Sequence, residues 1–443
     1  SKILVFLLVP LYTGILSTKE YGIFDLVVST IQLLMPFLSL NIYEAVMRFL
    51  MDKESDKRGV VSVGLKYVVI GSLLFGILIL INKKNIFSNE LEKLPVIIFI
   101  YFSSYLFYQY IIQFSKGIEK VQDVAIASVI GTISTIGLNI ILLLFFHRGL
   151  YGFFLAYTVG QLLPAMYLSI RIKLHKYIIF KIDKVLEKRM ISYSLPLIMN
   201  SVGWWVNNVS DRYVVTFLCG ISINGIYSVA YKIPSILNII QQIFIQAWQI
   251  SVIKEYDTYD SAKFYGQALE VLNFVMCILC MGLVLLTRPI AHYLYSNEFY
   301  LAWRYVPFLL VSCVFNSASG ILGPILSASK NSKAMGMSAM VGALTNIVFN
   351  FGLVYFIGAQ GAAIATDISS FVIYRMRRKA VKNDISNYSR WALYMSWVFI
   401  IIQAYMEIYI EHYIFQFFLI GIVIILYRRI IVEIYKKLKN VIR

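Results

Sequence analysis

The chain has 443 residues, of which 59% are hydrophobic and 14% charged, whereas an average soluble protein is about a quarter charged. Its formal net charge of +17 would suit a polyanion, but the basic residues sit in short loops between apolar runs, which excludes a nucleic-acid-binding domain. A helical membrane span needs ~20 apolar residues, and that length recurs along the whole sequence, as in a polytopic membrane protein.

Apolar runs separated by polar or Gly/Pro punctuation predict fourteen spans, near 1–16, 22–50, 60–81, 94–114, 124–146, 150–170, 191–218, 225–252, 266–287, 301–327, 335–357, 361–376, 391–408 and 413–431. An even number puts both termini on one side. The positive-inside rule selects that side. One set of loops, together with the tail, holds 29 Lys and Arg, and the opposite set holds 6. Both termini are therefore expected in the cytoplasm. The far-side loops are short, the longest from about Asn82 to Lys93, and leave no room for an outer domain.

The resulting division is an N-terminal six-helix lobe (1–170, first helix truncated), a basic cytoplasmic linker (171–190), a C-terminal six-helix lobe (191–376), and two extra helices with a basic tail (377–443). The linker is expected to lie on the anionic inner leaflet. The halves echo each other. Thr13 through Phe24 resembles Thr216 through Tyr227 at an offset of 203, and Gly131 and Asn139 recur as Gly342 and Asn350 at an offset of 211. By the first offset Ser1 corresponds to Trp204, whereas the second unit's first span begins near Met190. About a dozen residues are thus expected upstream, by the repeat logic of transporters.

Polar side chains in a span are costly unless they face a cavity or a partner, so their angular distribution is informative. At about 100° per residue, the eighth span aligns Ser228, Tyr231, Ser235, Asn238, Gln242, Gln246 and Gln249 on one stripe bordered by Lys232. The seventh aligns Asn200, Trp204, Asn207 and Asp211, with Arg212 at its flank. A wet, amide-rich cavity is the expectation for these two. In the tenth, Ser312, Asn316, Ser319, Gly323 and Ser327 fit either a cavity or simple helix adhesion. In the second, Asn41, Glu44 and Arg48 cluster, the last two at i,i+4 spacing. Pro36, Pro196, Pro234, Pro307 and Pro324 lie in these same spans, where proline permits bending.

Arg212 and Lys232 could offer cationic ligands to a phosphate, or Asp211 could simply form a structural ion pair with one of them. Arg48 and Lys66 lie near the cytoplasmic mouth and fit either a phosphate contact or the positive-inside bias. Arg304 near the outer end fits snorkelling or an exit-side contact. Asp211 and Glu44 are the carboxylates best placed to carry a coupling H+ or Na+. Trp204 and Tyr231 could stack on sugar rings. Tyr101, Tyr105, Tyr108, Tyr110, Tyr405, Tyr409 and Tyr413 are expected in interfacial belts. Cys277 and Cys280 form a C-x-x-C without a second pair and read as core. The four histidines share no ligand spacing, and no phosphate-loop motif occurs.

The runs Ser194-Leu195-Pro196-Leu197, Asp211-Arg212-Tyr213 and Gly225 through Pro234, with Pro10-Leu11, Leu16-Ser17, Tyr21-Gly22 and Arg48, resemble the polysaccharide-repeat-unit flippases. These are the O-antigen, capsule and exopolysaccharide exporters of the multidrug/oligosaccharidyl-lipid/polysaccharide superfamily. The resemblance implies an all-α fold of two six-helix lobes around a central cationic cavity, and no enzymatic activity. It implies export of a polyprenyl-pyrophosphate-linked oligosaccharide across a bacterial inner membrane, without a cofactor, with membrane potential, H+ or Na+ as the drive. Arg48, Arg212 and Lys232 match family-type basic positions. The lipid-linked oligosaccharide, bilayer lipids and other polysaccharide-assembly membrane proteins are the implied partners, and nucleic acid is not. The visible first span lacks the acidic residue of a cation-coupled drug exporter and the arginines of a peptidoglycan-precursor flippase. A multidrug antiporter of the same superfamily, and a membrane polymerase or glycosyltransferase, are the competing readings.

Overall fold

The computed structural model describes residues 6, 8–52, 55–86, 94–180, 182–255, 261–329, 331–382, 384–386 and 388–432. Among these residues the chain is helical throughout, with no strand. Each predicted span falls on helix, the first only over its described part. Nine helices among the described residues are long and apolar enough to cross a membrane. The remaining spans are short, broken or too polar to satisfy that measure by themselves. The chain divides into two compact units, Ser1–Val206 and Asn207–Arg443.

In the first unit, α1 (Val9–Ile15) leads into α2 (Thr18–Leu38). Ser17 starts α2 with a reciprocal cap: the Glu20 N–H donates to its hydroxyl at 3.2 Å, and its own N–H donates to the Glu20 carboxylate at 2.9 Å. Pro36 lies in the last turn of α2. Beyond it Leu40 and Asn41 both take left-handed conformations, so the second span is broken before α3 (Ile42–Leu50). There follow α4 (Lys57–Ile86), α5 (Leu94–Gly117), α6 (Val121–Asn139) with a π-helical turn over Ile140–Phe145, and α7 (Gly149–Arg171). The amphipathic pattern does not distinguish that π turn from continued α-helix. The loop expected from Asn82 to Lys93 lies outside the described residues over 87–93.

Small residues set the closest helix approach in this unit. A Cβ on Gly131 of α6 would stand 2.7 Å from the Gly160 carbonyl oxygen of α7, so glycine is required for that contact. In the same unit Tyr12, Tyr21, Phe24, Phe153, Phe154 and Tyr157 form an interlocking aromatic core, with Phe24 and Phe153 centroids 4.5 Å apart. Two of the expected belt tyrosines belong to the interior instead. Tyr101 packs edge-on against Phe154, and Tyr110 is buried with its hydroxyl donating to the Val61 carbonyl at 2.8 Å. A tyrosine with a partner for its hydroxyl is a core residue, and sequence position does not reveal that partner. Tyr405, Tyr409 and Tyr413 are exposed, as a belt requires.

Helix α8 (Lys184–Cys219) carries the chain into the second unit. There α9 (Ile221–Ala230) and α10 (Pro234–Glu255) form the eighth span, followed by α11 (Ser261–Leu285), α12 (Thr287–Leu294) and a 3-10 segment (Asn297–Arg304). Then come α13 (Val306–Ala328), α14 (Ser332–Ile357), α15 (Gln360–Ala380), α16 (Arg390–Tyr409) and α17 (Tyr413–Leu426). Helix α13 is the pillar of this unit, with α10, α11, α15 and α16 packed on it. In the tenth-span stripe Ser312 and Ser319 are buried and donate back to the Leu309 and Asn316 carbonyls of their own helix, whereas Asn316 is half-buried and Ser327 exposed.

The last two helices are fastened by buried polar groups. Asn273 of α11 donates to the Tyr427 hydroxyl at 2.8 Å, and Trp397 of α16 donates to the Asn273 carbonyl oxygen at 2.8 Å. Arg288 pairs with Glu407 at 3.2 Å, and Gln416 of α17 donates to the same carboxylate at 2.7 Å. Cys277 and Cys280 are fully buried in this core. Ser17 and Gly220 each precede a helix start, Ser17 with a side-chain cap and Gly220 without one. Gly131 and Gly342 each sit at a tight crossing, where a Cβ on Gly342 would meet the Ile373 side chain at 2.3 Å.

Candidate functional site

The eighth span does not run straight through. After Ala230 the α-helical pattern gives way to a turn over Tyr231, Lys232 and Ile233, where the Lys232 N–H donates to the Val229 carbonyl at 2.9 Å, and the helix resumes at Pro234. Proline cannot donate to the carbonyl one turn back, and its ring disfavours helical geometry in the residue before it. A discontinuous membrane helix frees backbone groups and side chains at membrane depth, the device transporters use to build binding sites.

Asp211 of α8 faces this break and is buried. Its Oδ2 accepts from the Tyr227 hydroxyl at 2.8 Å and the Tyr231 hydroxyl at 2.5 Å, and its Oδ1 from the Arg212 N–H at 3.0 Å. A carboxylate offers about four lone-pair sites, so three are taken by this chain's own donors. The Arg212 guanidinium carbon lies 5.5 Å from the centre of the Tyr231 ring, within cation–π reach. Arg212, Tyr231 and Lys232 are all half-buried. Asp211, Arg212, Tyr231 and Lys232 thus share one locality of the second unit.

Further along α10 the polar stripe opens. Asn238 is half-buried, and Gln242, Gln246 and Gln249 are exposed. Asn207 sits half-buried on α8, its Oδ1 near Gly342 of α14. Arg304, at the end of the 3-10 segment, is exposed and lies 5.8 Å from the Trp303 ring.

In the first unit Arg48 is exposed on the last turn of α3. Glu44 accepts from the Gln113 side chain at 2.8 Å. Among the described residues Glu44 and Arg48 form no ion pair, despite their spacing. Lys66 is bound to Glu187 at 2.7 Å, and the Tyr67 hydroxyl donates to the same Oε1 at 2.8 Å. Those donors hold the Glu187 carboxyl below its ordinary range. Trp204 is exposed, while its neighbour Trp205 is buried and donates to the Ser29 carbonyl at 2.8 Å.

Two features escaped the sequence reading. Asp367 of α15 is buried, and its Oδ1 has no hydrogen-bond partner among the described residues. A lone acidic residue in the polar twelfth span was the available signal. Ser210, Asn346, Asn350 and Thr366 form a second amide–hydroxyl cluster, joining α8, α14 and α15 through contacts of 2.9 to 3.4 Å. Among the described residues no group of three His, Cys, Asp or Glu side chains converges to hold a metal ion.

A profile of the family described as polysaccharide biosynthesis protein matches residues 1–250, more than half of the chain. The chain belongs to that family. No match was found among curated proteins. Among solved structures, the lipid II flippase MurJ in an inward closed conformation superposes with a TM-score of 0.72 at 18% identity, covering 99% of this chain and 97% of its own. An inward-facing multidrug resistance MATE family transporter of the MOP superfamily gives 0.73 at 13% identity, over 87% and 95%. A MOP superfamily transporter from Pyrococcus furiosus, described by the reverse polarity of its binding pocket, gives 0.57 at 14%, over 87% and 94%. The chain thus has the polytopic fold of that superfamily.

Proposed function

We propose that this family member is a flippase: it carries a polyprenyl-pyrophosphate-linked oligosaccharide from the cytoplasmic to the outer leaflet for surface polysaccharide synthesis. The observation that carries the reading is the broken eighth span, where Lys232 and Tyr231 stand beside Arg212 and the tyrosine-clasped Asp211. Arg212 and Lys232 supply charge for the pyrophosphate. The exposed amides of Gln242 and Gln246 supply donors and acceptors for sugar hydroxyls. Family membership supports a role in polysaccharide synthesis, and the flippase among the structural neighbours supports lipid-linked cargo.

The energetics need no ATP. A pyrophosphate diester carries about two negative charges, and its outward movement, driven by a negative-inside potential, is favourable by ~2.3 kcal/mol per charge per 100 mV, about 5 kcal/mol in all. The polyprenyl tail stays in lipid while the head group crosses. A lipophilic-cation exporter would find Arg212 and Lys232 repulsive, which disfavours the drug-antiporter reading.

Arg212→Gln is expected to abolish surface polysaccharide in a complementation strain while the protein still reaches the membrane at its normal level. Arg212→Lys should restore part of it. Full polysaccharide in Arg212→Gln would remove this residue from the substrate site.

A further inference from the structure

At the N-terminal end of α8, within the first unit, lies an open groove of about 790 Å³ lined by Phe49, Lys184, Val185, Lys188, Arg189, Ser192 and Tyr193. Lys184, Lys188 and Ser192 follow at i, i+4 and i+8 on one helix face, and all three are exposed. Arg189 stands over the Phe49 ring at 5.7 Å, and Phe49 meets Tyr193 edge-on at 6.0 Å. Among the described residues none of the three cations forms an ion pair. The nearby carboxylates are bonded to other donors: Asp183 accepts from the Val185 N–H at 2.9 Å, and Glu187, which also attracts Lys184 through space, is hydrogen-bonded by Lys66 and Tyr67. The first turn of a helix, where Lys184 lies, disfavours cations, and three like charges within six residues repel one another, a cost that an anion would relieve.

The same face continues as Leu195 and Met199, three and seven residues beyond Ser192, and both are exposed. Charge at the helix end followed by lipid-accessible apolar side chains matches a molecule with an anionic head and a hydrocarbon tail. The basic-residue distribution assigns this end to the cytoplasmic leaflet. We propose that this groove is a binding site for an anionic phospholipid of that leaflet, with the lipid phosphate among Lys184, Lys188 and Arg189 and an acyl chain along Leu195 and Met199. This site is independent of the cargo reading, because its residues are not those assigned to the pyrophosphate.

The test uses purified full-length protein in vesicles of equal parts phosphatidylcholine and phosphatidylglycerol, with a trace of either lipid carrying a photoreactive group, and crosslinks mapped by mass spectrometry. Phosphatidylglycerol should label the segment containing residues 184–199 several-fold more than phosphatidylcholine does. Each cation neutralised should weaken labelling by up to about fivefold until the phosphatidylcholine level is reached, so K184Q/K188Q/R189Q should fall to that level, while K57Q/R58Q should label as wild type does. Equal labelling of wild type by the two lipids would overturn the proposal without recourse to any variant. Undiminished labelling of the triple variant would overturn it too. Loss of phosphatidylglycerol labelling on adding a trace of polyprenyl pyrophosphate would reassign the groove to a pyrophosphate head group.

Discussion

At the scale of single residues, Asp211 shows how a buried carboxyl group is made tolerable. Two tyrosine hydroxyls and one backbone N–H converge on it, and a buried acceptor that loses a donor costs about 1–3 kcal/mol. Tyr227→Phe should therefore lower the stability of the detergent-solubilised protein by about that amount, read as a fall in melting temperature. Lys66 is occupied differently from Arg212. Its bond to Glu187 is 41% exposed on the lysine side, and exposed pairs contribute at most about 1 kcal/mol. Because the Glu187 carboxyl is held below its unfolded value, its contribution is complete above about pH 4.3 and is lost as pH falls through the folded value. The melting-temperature difference between wild type and Glu187→Gln should be small near neutrality and vanish in acid. A difference that grows in acid would contradict that sign. The residue types at this site were legible in the sequence, since Asp211, Arg212, Tyr231 and Lys232 interrupt apolar runs. Which donors Asp211 would take was not, because Tyr227 and Tyr231 lie in a different span from their acceptor and periodicity carries no information about contacts between spans.

At the scale of elements, hydropathy located the spans well because the hydrocarbon thickness imposes one length on every crossing helix. It did not locate the breaks. Pro36 and Pro234 mark broken spans, whereas Pro196 and Pro324 lie inside continuous helices. Proline permits a break, and the surrounding packing decides whether one forms. Likewise the serine stripe of α13 could not be assigned by its angle alone, since adhesion and cavity lining use the same small polar residues. The tightest crossing in the second unit is between α14 and α15, where a Cβ on Gly361 would lie 2.3 Å from the Leu353 backbone carbon. Backbone cannot yield as a side-chain tip can. Gly361→Ala should destabilise the protein by about 1–3 kcal/mol, seen as earlier thermal aggregation and reduced yield from membranes. Gly352→Ala is the control, because nothing lies within 4 Å of that position.

At the scale of the whole molecule, composition alone indicated a membrane protein, and the family match and the superpositions place it in the polysaccharide biosynthesis family with a MOP-superfamily fold. The appended helices α16 and α17 could be counted from hydropathy. Their attachment through Asn273, Arg288 and Glu407 could not, since it joins positions more than a hundred residues apart. The central claim is that the cationic break in the eighth span moves a lipid-linked oligosaccharide. Reconstitution addresses it most directly: vesicles carry polyprenyl-pyrophosphate oligosaccharide in both leaflets, and an added impermeant glycosidase reports what reaches the outside. Wild-type protein should deliver the inner pool, and faster under an inside-negative potential, while Arg212→Gln/Lys232→Gln should leave the inner pool protected as in protein-free vesicles. Delivery by the double variant at the wild-type rate, or no delivery by wild type, would contradict it.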